Sequence, residues 1–386
     1  MKKKFTQFIL LSIVFAGATK LYAQELNAIQ TVVPFLTIAP DSRSGAMGDA
    51  GVATTPDVYS QHWNLAKYAF IDGSGGVGIS YSPWLRNLVP DINIAYLSGY
   101  YRIDQKQVAS ASLLYSSLGD VPFTDDYGNL ERTFKPNELA FDLGYSRKFS
   151  EHFSGGIAFR FIYSNLTGGT YSGGDATKPG TSFAADIAGY YTSKNINISG
   201  KDAELSAGLN FSNIGSKMSY SDGQTSDFIP MNMRLGGAGT LNLDNFNKLS
   251  LALDFNKLLV PTPPIYNEDM EIIDGKDPNV SVPIAIFQSF IDAPGGFKEE
   301  VREITISSGL EYWYNNQFAV RAGYFHENAT KGNRKYFTAG AGFRLKGFTI
   351  DFSYLMPLAQ NHPLARTLRF SMSFDINSMQ KSGSSK

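Results

Sequence analysis

The sequence predicts an all-β protein, a closed 14-stranded antiparallel transmembrane β-barrel, and three observations carry that reading. Apolar and polar residues alternate with period two over segments of about ten residues. The connections between these segments alternate between short and long. Beyond the first residues, no run of roughly 18 apolar residues offers a membrane helix. The alternation is plainest near the end of the chain. Leu368, Phe370, Met372, Phe374 and Ile376 share one face, and Arg369, Ser371, Ser373 and Asp375 the other, because successive strand side chains point to opposite sides. Phe348, Ile350, Phe352, Tyr354 and Met356 repeat the pattern, as do Leu249, Leu251, Leu253 and Phe255.

Read this way, strands are expected over 77–82, 92–101, 107–116, 138–147, 153–163, 181–192, 204–212, 232–241, 248–257, 303–313, 317–327, 335–345, 348–356 and 367–376. Many have the length of a tilted strand that crosses a bilayer, about 9–11 residues, where strands of soluble proteins average about five or six. The links 102–106, 148–152, 314–316 and 346–347 are tight, whereas 118–137, 164–180, 213–231 and 258–302 are long. A barrel with short periplasmic turns and long outer loops produces this asymmetry. An even strand count then places both ends of the mature chain in the periplasm. In a barrel the apolar face meets lipid and the Ser, Gly, Asp, Arg and Asn face lines the lumen, and closure leaves no unpaired edge in the hydrocarbon. Trp84, Tyr100, Tyr101, Tyr190, Tyr191, Tyr312, Trp313 and Tyr314 fall near strand ends, where an interfacial aromatic girdle is expected.

The first residues address the chain for export. Lys2, Lys3 and Lys4 precede an apolar run from Phe8 to Ala18 and then Leu21-Tyr22-Ala23, the pattern of a signal peptide spanning 1–23. Its removal takes four lysines and no acid, leaving 30 Lys+Arg against 35 Asp+Glu, net −5. Only 18% of residues are charged, no Lys/Arg cluster offers a footprint for nucleic acid, and the absence of cysteine excludes disulfide scaffolds, thiolate metal sites and cysteine nucleophiles.

Between the signal peptide and the first strand lie residues 24–76, rich in Gly, Pro and small side chains and placed by this reading inside the barrel. The stretch Ser44-Gly45-Ala46-Met47-Gly48-Asp49-Ala50-Gly51-Val52-Ala53, followed by His62-Trp63-Asn64-Leu65-Ala66, resembles the N-terminal plug signature of the FadL family of outer-membrane barrels. The resemblance implies that Gly45, Met47, Gly48, Gly51, Trp63 and Asn64 belong to a plug in the lumen. Leu65 stands where that family has proline, so a looser bend is expected there. The fuller run Ser42 to Thr54, with Asp57, Tyr59, Ser60, Gln61, Lys67 and Tyr68, resembles the PorV (LptO) branch, over the whole chain from signal peptide through barrel (77–376) to a polar tail (377–386). That resemblance implies a non-enzymatic outer-membrane component of the type IX secretion system of Bacteroidetes. Its implied partners are the translocon barrel SprA (Sov), the PorU sortase and attachment complex, cargo with C-terminal secretion domains, and outer-membrane lipid. A FadL-like transporter of hydrophobic small molecules is the alternative.

No catalytic, cofactor or metal site is expected. His62, His152, His326 and His362 are scattered and form no HExxH helix, Gly236-Gly237-Ala238-Gly239 lies within a strand with no helix to follow, and Asp120, Asp125 and Asp126 lack an EF-hand pattern. The loop 258–302 is the most informative segment outside the barrel. Its Ile284, Phe287, Phe290 and Ile291 are more apolar than a solvated loop needs. Ile284, Phe287 and Ile291 fit one side of a short helix after Pro283, with Gly295-Gly296 as its stop. Packing onto the barrel rim, contact with a partner protein, and an entrance for a small ligand would each account for them.

Overall fold

A computed structural model of the chain describes residues 26–376, apart from 87, 88, 90, 126, 170, 173, 174, 223–225 and 361; the expected signal peptide and polar tail lie outside the described residues. Fourteen antiparallel strands close on themselves: β1 (Gly75–Pro83), β2 (Asn93–Arg102), β3 (Gln107–Ser117), β4 (Asn137–Lys148), β5 (Phe153–Asn165), β6 (Gly180–Ile198), β7 (Lys201–Gly215), β8 (Asn232–Asn242), β9 (Asn247–Leu258), β10 (Thr305–Tyr314), β11 (Phe318–His326), β12 (Lys335–Leu345), β13 (Phe348–Pro357) and β14 (Leu368–Asp375). Each pairs with its sequence neighbours, and β1 meets β14 from Gly76↔Asp375 to Tyr81↔Phe370, so every strand has two partners and no edge remains.

The alternation decides which way the wall faces. On β1, Val77, Ile79 and Tyr81 point outward while Ser80 and Ser82 are buried, and on β14 Phe370 and Met372 point outward while Arg369 and Ser371 are buried. Large exposed side chains such as Phe159, Phe183, Leu251 and Val320 continue the band around the barrel. Such a surface is a liability in water and suits the hydrocarbon of a bilayer. The two-residue turns Ser199-Gly200 and Lys346-Gly347 have positive φ at both positions, the geometry that matches strand twist in tight hairpins.

Three expectations need correction. Of the aromatic girdle, Tyr101, Tyr191 and Tyr314 are exposed, but Tyr100, Tyr190 and Trp313 are buried inside, since consecutive strand residues face opposite ways. Short hairpins, Val121–Thr124 with Leu130–Phe134 and Ile265–Tyr266 with Ile272–Asp274, extend two of the long loops. The third concerns the chain's ends. β1 starts and β14 ends at the short-turn mouth, as an even count requires, yet Asn27 bonds Thr330, Pro263 and Glu299 at the opposite, long-loop mouth. Asn27 and Asp375 therefore lie at opposite mouths, because the segment before β1 runs the length of the lumen.

The core lies inside the barrel. Val33, Phe35, Leu36, Val58, Tyr59, Leu65 and Tyr68 of the N-terminal segment pack against inward-facing Ile94, Tyr96, Val108, Ile162 and Met231. No helix among the described residues is long and apolar enough to cross a membrane.

Candidate functional site: the lumenal segment and the longest loop

Residues 26–74 descend the lumen through two single-turn helices, α1 (Ser42–Gly45) and α2 (Ser60–Trp63), and two 3₁₀ turns, Pro34–Thr37 and Leu65–Phe70. Asp41 caps α1, its carboxylate accepting Ser44 N–H at 2.9 Å and the Trp63 indole N–H at 2.6 Å, so one side chain ties α1 to α2. Gly48 adopts φ 67°, and a Cβ there would fall 2.6 Å from the Tyr324 backbone; Gly323 opposite it would likewise strike Gly48 N at 2.0 Å. Two backbones touch at this point, which only glycine on both sides permits. A Cβ on Gly51 would enter the Trp63 ring, one on Gly45 would strike Arg369, and Met47 packs on Ala50 and Ala252.

Polar anchors fasten the segment to the wall. Asp254 of β9 accepts both Gly51 N–H and Val52 N–H, at 2.7 and 2.9 Å. Thr338 accepts Gly48 N–H at 2.9 Å, and Tyr59 donates to the Met372 carbonyl at 2.8 Å. The central anchor is ionic. Arg43 donates to Glu311 at 2.8 and 3.0 Å and to Asp57 at 2.7 Å, while Arg321 donates to Glu311 at 2.6 Å and Asp351 at 2.7 Å. All are buried or nearly so, where an unpaired charge would be costly.

The bend at Asn64-Leu65 is not loose. Asn64 accepts Ala66 N–H at 3.0 Å and donates to the carbonyls of Val52 and Gly189 at 3.0 and 2.9 Å, so three side-chain bonds hold the turn where proline would have restricted φ. All six residues named from the sequence thus lie inside the barrel. Arg43, Asp254 and Glu311 were missed as anchors. Arg43 stands in the signature itself, but which wall carboxylate answers it depends on strand register across most of the chain.

Below the long-loop mouth is a cavity of about 690 Å³, bordered by Ile38, Asp49, Trp63, Arg234, Phe325 and Tyr336 among others. The 259–304 loop meets its edge at Glu303. The loop's first helix, α3 (Val282–Gln288), carries Pro283 in its first turn and packs inward through Ala285 and Ile286. Ile284 and Phe287 point away, exposed by 55% and 77%, with Ile291 at 68% and Phe290 at 41%. Ile284, Phe287 and Ile291 therefore face outward and do not cover the rim, whereas the half-exposed Phe290 lies over the Lys257 ammonium of β9, 5.7 Å from its ring centroid. Gly295-Gly296 do not stop α3, which ends before Ser289; Gly296, at φ 62°, starts a second helix, α4 (Phe297–Arg302), which adds exposed Phe297 and Val301. Beneath the face, Lys257 bonds Glu300 and Glu303 at 3.0 and 2.6 Å, and Lys331 bonds Glu303 at 2.9 Å, pinning the loop to its neighbours.

The pattern of family residues decides the relationship. Residues 21–265 match the family model described as type IX secretion system protein PorV. The chain belongs to the PorV family. This PorV-family chain is thereby an outer-membrane barrel of a non-enzymatic family involved with type IX secretion. Two solved structures share its fold, and a third is similar at a lower score. A TodX deltaS2S3 mutant monoaromatic hydrocarbon channel is 13% identical with TM-score 0.51, covering 86% of this chain and 96% of its own. The CymD monoaromatic hydrocarbon channel is 11% identical with TM-score 0.50, covering 87% and 97%. The Pseudomonas putida toluene transporter TodX is 12% identical with TM-score 0.47, covering 90% and 98%. No curated protein matches the chain.

Proposed function

We propose that this protein docks on the SprA (Sov) translocon barrel and carries cargo with C-terminal secretion domains to the PorU attachment complex, with its long loops outside the cell and its short turns in the periplasm. Residues 26–74 act as a plug that keeps the barrel closed while the loops do the work. The observation that carries the reading is the outward apolar face of Ile284, Phe287 and Ile291 on a loop pinned from below. Desolvated aromatic anchors of this kind dominate protein interfaces.

The cavity of about 690 Å³ favours a second reading, transport of a hydrophobic small molecule. Against it, the cavity wall carries Arg234, Glu303, Glu327, Lys331 and Arg334, and the lumen beneath holds the Arg43–Glu311–Arg321–Asp351 ladder. A hydrophobic passenger would have to pass groups that bind water better than it. A deletion strain separates the two readings: retention of secreted cargo with unimpaired growth on hydrophobic substrates supports the secretion role, and the reverse supports transport.

A further inference from the structure

The cavity of about 690 Å³ below the long-loop mouth is balanced in charge. Its size falls within the roughly 300–1,000 Å³ of small-molecule sites. Among the described residues its lining carries three acids, Asp49, Glu303 and Glu327, and three bases, Arg234, Lys331 and Arg334. Each base is already answered. Arg334 donates to Glu327 at 2.7 and 2.9 Å, Lys331 donates to Glu303 at 2.9 Å, and Arg234 lies in the field of Asp254, Asp49 and Asp186. His362 adds no charge near pH 7, because burial and the nearby Arg334 hold its imidazole below the ordinary value. A carboxylate or phosphate would find no spare cation here, and an ammonium no spare acid.

The hydrogen-bonding groups that the lining leaves free are neutral. The Asn232 amide has no partner among the described residues, and Asn256 accepts from Arg234 at 2.7 Å through Oδ1 and keeps both Nδ2 hydrogens unspent. His362 accepts Leu364 N–H at 3.1 Å through Nδ1, which puts its own proton on Nε2, where no acceptor stands among the described residues. Apolar surface lies between these groups. Trp84, half-buried, packs on Phe325, Tyr336 and Leu364 and turns the rest of its ring to the cavity. A hydrocarbon would cover the indole but strip water from the amides without replacing its hydrogen bonds, which is costly. Both demands are met by an uncharged molecule with hydroxyls around its edge and C–H groups on its faces.

We propose that this cavity is a binding site for a short neutral oligosaccharide. Trp84 follows β1 and His362 lies between β13 and β14, whereas Asn232 and Asn256 stand on β8 and β9, across the closed barrel. One sugar ring lies against Trp84 beside His362, and a further ring meets the two amides on the opposite wall. The site does not rest on the docking role, because none of Ile284, Phe287 and Ile291 lines the cavity.

The test uses the full-length barrel transferred from detergent to amphipol, so that no detergent competes for the cavity. Calorimetric titration with maltose, cellobiose, mannobiose and diacetylchitobiose should show saturable binding of at least one of them. Trp84→Ala should weaken that binding by roughly tenfold, the scale of losing one aromatic contact. Asn232→Ala, on the opposite wall, should weaken it as well, and neither octanoate nor toluene should displace the sugar. Should Trp84→Ala lose its heat-modifiable migration, Asn232→Ala decides alone. Absence of binding across the four sugars overturns the proposal. Binding that is unchanged in the well-folded variants places the sugar elsewhere on the protein, and displacement by octanoate or toluene marks a site for an anion or a hydrocarbon; either result overturns it equally.

Discussion

Replacing Glu311 by Gln tests whether the ionic ladder holds the lumenal segment in place. Glu311 is 2% exposed and accepts three bonds at 2.6–3.0 Å, two from Arg43 on the segment and one from Arg321 on the wall. Hydrogen bonds to charged groups contribute about 1.5–3 kcal/mol each, and the amide oxygen of Gln retains one or two of them at about 1 kcal/mol as neutral bonds. Arg43 keeps Asp57 and Arg321 keeps Asp351, which limits the damage. The net loss is about 3–5 kcal/mol, the range for removing one partner of a buried pair. That corresponds to roughly two to four decades in the ratio of held to released segment. A cysteine placed at Ala50, which is fully buried, reports release through its labelling rate with a bulky thiol reagent in intact barrels. The Ala50→Cys protein should label slowly, and the Glu311→Gln variant of it at least tenfold faster. Equal rates, with unchanged resistance to heat, would refute the claim that Arg43 and Glu311 anchor the segment.

Gly48→Ala should cost roughly 1–3 kcal/mol, seen as a lower heat-modifiability midpoint, because it combines φ 67° with a Cβ 2.6 Å from the Tyr324 backbone; Gly128→Ala, at a loop position with open space around it, is the matched control. Deleting residues 24–70 should raise single-channel conductance in planar bilayers if the segment is a plug, and unchanged conductance would count against it. Burial raises the Asp292 carboxyl from 3.8 to about 6, reinforced by Glu300 and Glu303 and opposed by the Thr262 N–H. A carboxyl raised on folding stabilises the loop below about 3.8 and loses that contribution as pH rises through about 6. Proteolysis within 259–304 should therefore quicken between pH 4 and pH 7, about the window of that titration, and Asp292→Asn should flatten the dependence.

The strands were legible because each apolar face has to meet lipid, and that demand writes period two into the residues themselves. Leu368 to Ile376 illustrates it, and the paired register bears out the strand there to Asp375. Tight turns were equally local, since Lys346-Gly347 needs nothing beyond two positive φ angles. What alternation could not supply was direction at the ends of strands. Tyr100 and Tyr101 look alike in sequence, yet one stacks on Tyr68 within the lumen and the other faces outward. The segment's anchors were hidden for a different reason: Arg43 meets Glu311 across 268 residues, so the pairing exists only once the barrel has closed. The course of the segment was hidden in the same way, because counting strands locates the ends of the barrel and says nothing about a chain that crosses its interior first.

The measurement that bears most directly on the account is recovery of partners by a loop variant. Phe287→Ser with Phe290→Ser removes two aromatic rings from the loop, 77% and 41% exposed, the second of which lies over Lys257, so normal heat-modifiability of the variant is checked first. Truncating one interface anchor that matters costs about 2 kcal/mol or more, so the double variant should lose most of its binding. Affinity purification from outer membranes, followed by mass spectrometry, should recover a large barrel partner with the unaltered protein and little of it with the double variant, while cargo accumulates inside the cell. Undiminished partner recovery and undiminished secretion by a double variant with normal heat-modifiability would contradict the account, and would turn attention to the 118–137 and 164–180 loops at the same mouth.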